Sequence, residues 1–207
     1  MNIEDLERRL NGPRPGLKAQ MRMMPRPRPG GEPCAGAEAA AQKAGVTILL
    51  YPKEGKLFMA FIRRSGMVLH HKDQICFPGG ELESGESYEQ AALRETWEEL
   101  GVEPERLRVI GVLTPLYIAR SNFRVHPIVA VSKEPLCFKP EEREVAEVIE
   151  VPLGHLADPR RVRRETHVID GVPVEIPYYP FRGHKIWGAT AMILAEFLAM
   201  AAGPARP

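Results

Sequence analysis

Glutamates crowd one short stretch of this 207-residue chain, directly after a pair of glycines. Between residues 81 and 103 there are eight carboxylates, and Arg94 is the only basic side chain among them. Carboxylates three or four residues apart on a helix repel each other by a few tenths of a kcal/mol per pair. A hard divalent cation relieves that repulsion, because Mg2+ and Mn2+ bind carboxylate oxygens and bridge them to phosphates. The stretch therefore predicts a metal site for phosphate chemistry.

A helix is predicted to position these carboxylates. Ser87 followed by Gln90 is a capping-box pattern, which places the helix start at about Ser87, and Gly101 is placed to end it. Three of the acids then fall within an arc of roughly 100°: Glu95, Glu98 and Glu99. The other side carries bulky apolar residues and is predicted to face the core: Leu93, Trp97 and Leu100.

Gly79 and Gly80 lie just before the helix, in the sequence Phe77-Pro78-Gly79-Gly80. Without Cβ atoms they allow a sharp turn close to the acidic face, so a backbone oxygen is predicted as an additional metal ligand. A metal there would neutralise a pyrophosphate and lower the pKa of an attacking water, while a carboxylate takes the proton. The predicted reaction is hydrolysis of a phosphoanhydride.

The spacing of these residues resembles the Nudix hydrolase box, G-x5-E-x7-R-E-U-x-E-E-x-G-U, in which U is a bulky apolar residue. The matching positions are Gly80, Glu86, Arg94, Glu95, Glu98, Glu99, Gly101 and Val102. Thr96 departs from the pattern, at a position that packs rather than coordinates. The resemblance implies an α/β fold, a Nudix-type α/β/α sandwich with a mixed β-sheet, and Mg2+ or Mn2+ as cofactor.

The resemblance also implies roles for individual residues. Glu95, Glu98 and Glu99 would carry the metal together with the Gly79 carbonyl, Glu86 would support the metal shell, and Arg94 would orient the glutamates by ion pairing. A glutamate on a loop after the box serves as catalytic base in other members, and Glu147 is preferred here over Glu144. The alternative is that Glu98 or Glu99 activates the water itself.

Segments outside the box resemble the coenzyme A pyrophosphatase branch of the family, over roughly residues 46–200. Its upstream signature, R-[SA]-x3-R-x3-G-x3-F-P-G-G, is matched at Arg64 and Ser65 and at residues 77–80. The chain has Leu69 where that signature has arginine and Asp73 where it has glycine. Contacts to substrate phosphates are expected from four side chains: Arg64, His71, Lys72 and Arg124.

Three functional hypotheses follow. The first is a metal-dependent hydrolase that cleaves coenzyme A (CoA) or its derivatives into 3′,5′-ADP and a 4′-phosphopantetheine product. The second keeps the chemistry but acts on ADP-ribose, NADH or another nucleoside diphosphate conjugate, because Leu69 and Asp73 alter the signature. The third is a non-catalytic ligand-sensing module with the same fold.

Composition restricts the partners and the compartment. With 44% hydrophobic and 27% charged residues and a net charge of +1, neither nucleic acid nor a membrane is expected as a partner. Three widely spaced cysteines suggest reduced thiols and a cytoplasmic location. One domain is expected at residues 46–202, preceded at residues 1–45 by a short helix and an extended Pro/Arg-rich arm without a core of its own. Such an arm either drapes over its own domain or reaches a partner.

Periodicity predicts the remaining elements. Hairpins are expected at residues 46–62 and around Asp170-Gly171, with further strands at residues 108–113, 125–131 and 145–151. Residues 186–200, which include Trp187, are expected to form a last helix that packs on the sheet or in a homodimer.

Overall fold

The structure is a computed structural model that describes residues 2–29, 36–66 and 74–202. Its helices are α1 (Ile3–Leu10), α2 (Leu17–Gln20), α3 (Tyr88–Leu100), α4 (Leu153–Leu156) and α5 (Gly188–Ala202). Its strands are β1 (Gln42–Lys53), β2 (Lys56–Arg64), β3 (Ile75–Cys76), β4 (Gly79–Glu81), β5 (Arg108–Val112), β6 (Leu116–Ile118), β7 (Phe123–Val131), β8 (Val145–Pro152), β9 (Arg163–Ile169), β10 (Val172–Phe181) and β11 (His184–Trp187).

The main sheet is mixed and is built around β1. It has the strand order β3-β2-β1-β7-β5, with β4 paired to β1, β6 to β7 and β8 to β2. The β1–β2 hairpin is confirmed, and its turn residues Glu54 and Gly55 both have positive φ, at 52° and 69°. Such turns match the twist of two antiparallel strands. Strand β1 runs antiparallel to β4 but parallel to β7.

Helices cover both faces of this sheet, as the expected α/β/α sandwich requires. On one face α3 packs through Leu100 against Leu49 and Tyr51 of β1. On the other face α5 packs into the larger core with Ile48 and Leu50, which alternate with Leu49 and Tyr51 along β1. The fold prediction is therefore confirmed.

The N-terminal segment contradicts the expectation of a coreless arm. Helix α1 forms as predicted, but residues 17–23 are helical as well, and Ala19, Gln20 and Met23 are buried. The Gln20 Nε2 atom donates hydrogen bonds to the Glu196 carboxylate of α5 (2.7 Å) and to the Thr114 carbonyl (2.8 Å). Burial of these side chains against α5 outweighs the extended tendency of the neighbouring prolines. The boundary at residue 46 stays a prediction.

The C-terminal part forms a separate three-stranded sheet, β9-β10-β11, followed by α5. The hairpin at Asp170-Gly171 is confirmed. Ile186 and Trp187, however, lie in β11 rather than in the last helix, because they pair with Tyr179 and Tyr178 of β10. Gly188, at φ 61°, then redirects the chain into α5. Among the described residues, no helix is long and apolar enough to cross a membrane.

Candidate active site

Helix α3 begins and ends where the sequence predicts. The Ser87 hydroxyl accepts a hydrogen bond from the Gln90 amide (3.2 Å), and the Ser87 amide donates to the Gln90 side chain (2.9 Å). Both halves of the capping box are therefore present. At the other end Gly101 adopts φ 67°, and its amide donates to the Trp97 carbonyl at 2.7 Å.

The face that α3 turns to the sheet confirms the prediction at Leu100 but differs from it at Trp97. Trp97 is 52% exposed and Leu93 only partly buried, while the buried residues are Ala91, Ala92, Thr96, Glu99 and Leu100. The cause is the closeness of helix and sheet, since a Cβ atom at Gly45 of β1 would lie within 3.0 Å of the Tyr88 carbonyl oxygen. The small side chain of Ala92 fits into that gap, with its Cβ atom 3.2 Å from the Cβ position at Gly45.

Arg94 lies between three carboxylates of the cluster, of which Glu86 and Glu95 are partly buried and Glu98 is exposed. Its Nε donates to Glu86 (2.7 Å), and its Nη1 donates to both Glu95 and Glu98 (2.9 Å each). Its Nη2 reaches the Glu81 carbonyl at 3.1 Å. The hydrogen bond from Arg94 lowers the pKa of the Glu86 carboxyl. One guanidinium thus gathers three of the predicted site residues on one side of α3.

Glu99 is the buried member of the cluster, with a side chain that is 1% exposed. Its Oε2 accepts a hydrogen bond from the Gly79 amide at 2.9 Å, and the Arg64 Nη1 lies 3.6 Å from its Oε1. Burial raises the pKa of Glu99 to about 8, against the lowering effects of that amide and of Arg64. Burial also raises the pKa of Glu95, and the adjoining Arg94 offsets part of that rise.

The two glycines bring the turn and the acidic helix face together. A Cβ atom at Gly80 would lie within 3.0 Å of the Glu95 carboxylate oxygens. At Gly79, with φ 147°, a Cβ atom would lie equally close to the Gly45 carbonyl and the Val46 backbone. Only glycine allows both the backbone angle and the approach.

The donor set suits a hard divalent cation. Within residues 2–29, 36–66 and 74–202, no three His, Cys, Asp or Glu side chains already converge on one metal position. The Arg94 guanidinium lies between Glu86, Glu95 and Glu98 in this structure. Even so, all the donors are oxygens, and burial disfavours the negative charge of Glu95 and Glu99 in the absence of a further cation. The residues present therefore fit Mg2+ or Mn2+.

The predicted substrate contacts divide into three groups. Arg64 lies beside Glu99, as described above. Arg124 is exposed on β7, where its charge acts on the neighbouring His126, and the structure does not bring it to the glutamates. His71 and Lys72, like the signature departures Leu69 and Asp73, lie outside the described residues.

The two candidates for catalytic base have different surroundings. Glu147 of β8 accepts a hydrogen bond from Arg63 (3.1 Å) and lies 3.2 Å from the His184 ring. Glu144 instead acts electrostatically on both Glu95 and Glu99 and raises the pKa of each. Its carbonyl accepts from the Ser65 amide at 2.8 Å, which ties the loop before β8 to the end of β2. The charge of Glu144, unlike that of Glu147, is thus among the smaller influences on the pKa of Glu95 and Glu99, for which burial is the largest.

Sequence reasoning missed Thr47 and Gly45 of β1. Gly45 sets the closeness of α3, and the Thr47 hydroxyl lies 2.9 Å from the Ala92 carbonyl and 2.8 Å from the Thr96 hydroxyl. Neither residue belongs to a motif. The only signal in the sequence was Thr96, the polar residue at an apolar position of the box pattern.

Known proteins share this sequence and fold. A NUDIX domain profile matches residues 41–171. The chain is 35% identical to the mitochondrial coenzyme A diphosphatase NUDT8 of Mus musculus over 155 residues, covering 72% of this chain and 68% of the relative. It is 33% identical to the uncharacterized Nudix hydrolase NudL of Citrobacter koseri over 165 residues, covering 79% and 85%.

A solved structure, the MutT protein from Methanosarcina mazei Go1, has the same fold. It superposes with a TM-score of 0.51 and is 16% identical, with 78% of this chain and 95% of that one covered. The profile match covers more than half of the chain, and the glutamates, glycines and arginine of the box lie together on α3 and the turn before it. The chain therefore belongs to the Nudix family of pyrophosphohydrolases.

Proposed function

We propose that this protein is a divalent-metal-dependent hydrolase that cleaves the pyrophosphate of CoA or a CoA derivative into 3′,5′-ADP and a 4′-phosphopantetheine product. The observation that carries the hydrolysis is the meeting of the Glu95 and Glu99 carboxylates with the Gly79–Gly80 turn. What supports the substrate is the similarity to the mouse CoA diphosphatase and the match of Arg64 to the signature of that branch.

Each residue of the site has a role in this proposal. Glu95, Glu98 and Glu99 would hold the cation together with the Gly79 carbonyl, and Glu86 would support them. When bound, Mg2+ or Mn2+ neutralises the pyrophosphate and lowers the pKa of water. Arg94 holds Glu86, Glu95 and Glu98 in place through its hydrogen bonds. Arg64 supplies positive charge beside Glu99, where it is available to a substrate phosphate.

Glu144 is proposed as the general base, in place of Glu147. A base must lie near the water that it deprotonates, and the Glu144 carbonyl accepts a hydrogen bond from the Ser65 amide (2.8 Å), directly after Arg64, which lies beside Glu99. The charge of Glu144 also adds to the effect of burial on the pKa of Glu99. Glu147 is already engaged by Arg63 and His184. Each of its two oxygens therefore already has a partner that competes with a water molecule for it.

Matched glutamine variants separate these two candidates. Because a general base contributes about 10²- to 10⁴-fold, Glu144→Gln is expected to lower kcat by at least about 10²-fold, and Glu147→Gln by less than about tenfold. Steady-state kinetics at saturating Mg2+ measures both. If Glu147→Gln alone lowers kcat strongly, the base is Glu147, as the sequence predicts. If both variants keep the parent kcat, the base is Glu98 or Glu99.

A second candidate function keeps the chemistry and changes the substrate to ADP-ribose, NADH or another nucleoside diphosphate conjugate. It is motivated by Leu69 and Asp73, because loss of a signature arginine removes a guanidinium that pairs well with phosphate. A panel of CoA, acyl-CoA, ADP-ribose and NADH, with products separated by chromatography, distinguishes the two functions.

The homodimer predicted from the last helix stays a prediction, which sedimentation of the purified protein tests.

A further inference from the structure

Thr47 connects the two halves of the candidate metal site. Its amide donates a hydrogen bond to the Pro78 carbonyl at 2.8 Å, which fixes the turn that leads into Gly79 and Gly80. Its hydroxyl lies 2.9 Å from the Ala92 carbonyl of α3. The backbone of this one residue therefore holds the turn, and its side chain holds the helix.

The hydroxyl contact belongs to a closed triangle of buried oxygens. The Thr96 hydroxyl lies 2.8 Å from the Thr47 hydroxyl and 2.7 Å from the Ala92 carbonyl, and both threonines are 0% exposed. The two threonine hydroxyls donate two protons among these three oxygen–oxygen contacts. Of the three residues in the triangle, Thr47 lies on β1, whereas Ala92 and Thr96 lie on α3. The hydrogen bonds that join β1 to α3 here therefore depend on the Thr47 hydroxyl.

The position of the triangle gives it a consequence for the metal ligands. Thr96 follows Glu95 directly and precedes Glu99 by less than one turn of α3. Glu95 must meet Gly80, and Glu99 must accept from the Gly79 amide, on the turn that Thr47 also holds. The distance between α3 and β1 therefore determines whether the Glu95 and Glu99 carboxylates contact the glycine turn.

We propose that Thr47 is a positioning residue for the metal site, which sets the distance between the glycine turn and the carboxylates of α3. The residue touches neither substrate nor metal and acts through Glu95 and Glu99. This proposal rests on the proposed function, because it assumes that these carboxylates bind a divalent cation. It also explains the polar residue at position 96, which is the partner of Thr47.

The test measures Mn2+ affinity without substrate, by electron paramagnetic resonance of free Mn2+. Groups that orient metal ligands typically contribute 10- to 100-fold in affinity, so Thr47→Val is expected to weaken Mn2+ binding at least about tenfold. Thr47→Ser keeps the hydroxyl and is expected to stay within about threefold of the parent. This rescue separates positioning from simple packing.

Two further variants control for the loss of a buried hydroxyl. Thr96→Val removes the other hydroxyl of the triangle but leaves Thr47 bonded to Ala92, so it is expected to weaken binding less than Thr47→Val does. Ser132→Ala deletes a buried hydroxyl that, within the part of the chain that the structure describes, bonds only to Glu134, just after the end of β7, and parent-like affinity is expected. If Thr47→Val does not fold, Thr47→Cys, a much weaker donor, replaces it.

The proposal is overturned if Thr47→Val, or its cysteine substitute, binds Mn2+ as tightly as Thr47→Ser. It is also overturned if Thr96→Val loses as much affinity as Thr47→Val. A parent protein that binds no Mn2+ would refute the proposed metal chemistry itself. Absence of CoA turnover alongside intact Mn2+ binding would refute only the substrate.

Discussion

Replacing Glu99 by glutamine is expected to lower metal-dependent turnover by at least about 10²-fold while making the metal-free protein more stable. Glutamine replaces a charged oxygen of the cation site with a neutral amide, so the metal binds less well and turnover falls. It also removes a buried carboxylate, which is 1% exposed and has Arg64 no closer than 3.6 Å. Because burial raises the pKa of Glu99 from 4.5 to about 8, its charged form costs stability as the pH rises above 4.5, so the gain in the free energy of unfolding is expected to be on the order of 1 kcal/mol at pH 8.

The measurement combines kinetics with thermal unfolding in the presence of a chelator. Glu105→Gln is the matched control, because Glu105 is exposed and lies outside the cluster. It is expected to change neither the rate nor the unfolding temperature. A Glu99→Gln protein that turns over substrate as fast as the parent would remove Glu99 from the site, and one that unfolds at a lower temperature would contradict the account of its burial.

Alanine at the two adjacent glycines is expected to produce two different losses. At Gly80 the three atoms nearest to the new Cβ atom all belong to the Glu95 carboxyl group, the far end of a flexible side chain that would have to shift along with its hydrogen bond to Arg94. Stability should change by less than about 1 kcal/mol, but the displaced carboxylate should lower turnover about 10²-fold, as misplacements near 1 Å do. At Gly79 the Cβ atom meets the backbone of Gly45 and Val46 at φ 147°. That variant should lose about 2 kcal/mol or more of stability.

Chemical denaturation and steady-state kinetics on the same two proteins check this separation. Parent-like turnover in Gly80→Ala would mean that Glu95 need not sit against the turn. Parent-like stability in Gly79→Ala would mean that the turn does not need a left-handed glycine. Either result would contradict the geometry on which the metal site is built.

Local signals in the sequence predicted the framework of this site. Ser87, Gln90 and Gly101 determine the ends of α3 through bonds within the helix itself, so no tertiary information was needed. The same holds for the hairpin at Asp170-Gly171, whose turn residues have φ of 51° and 78°. In both cases the chemistry that defines the element lies within a few residues.

Features that depend on distant residues were not predictable in this way. The outward position of Trp97 follows from Gly45, which lies on another element and lets α3 approach the sheet. The folding of the N-terminal segment depends on Glu196 of α5, the partner of Gln20. The strand at Ile186 depends on pairing with Tyr179. Each of these features results from contacts between segments that are distant in the sequence, whereas hydrophobic periodicity describes one segment at a time.

The hydrolysis of CoA by the purified protein tests the central claim most directly. Incubation with CoA and Mg2+ or Mn2+, followed by chromatography, is expected to yield 3′,5′-ADP and 4′-phosphopantetheine in equal amounts, with no product in the presence of a chelator. Absence of 3′,5′-ADP, together with turnover of ADP-ribose or NADH under the same conditions, would contradict the claim.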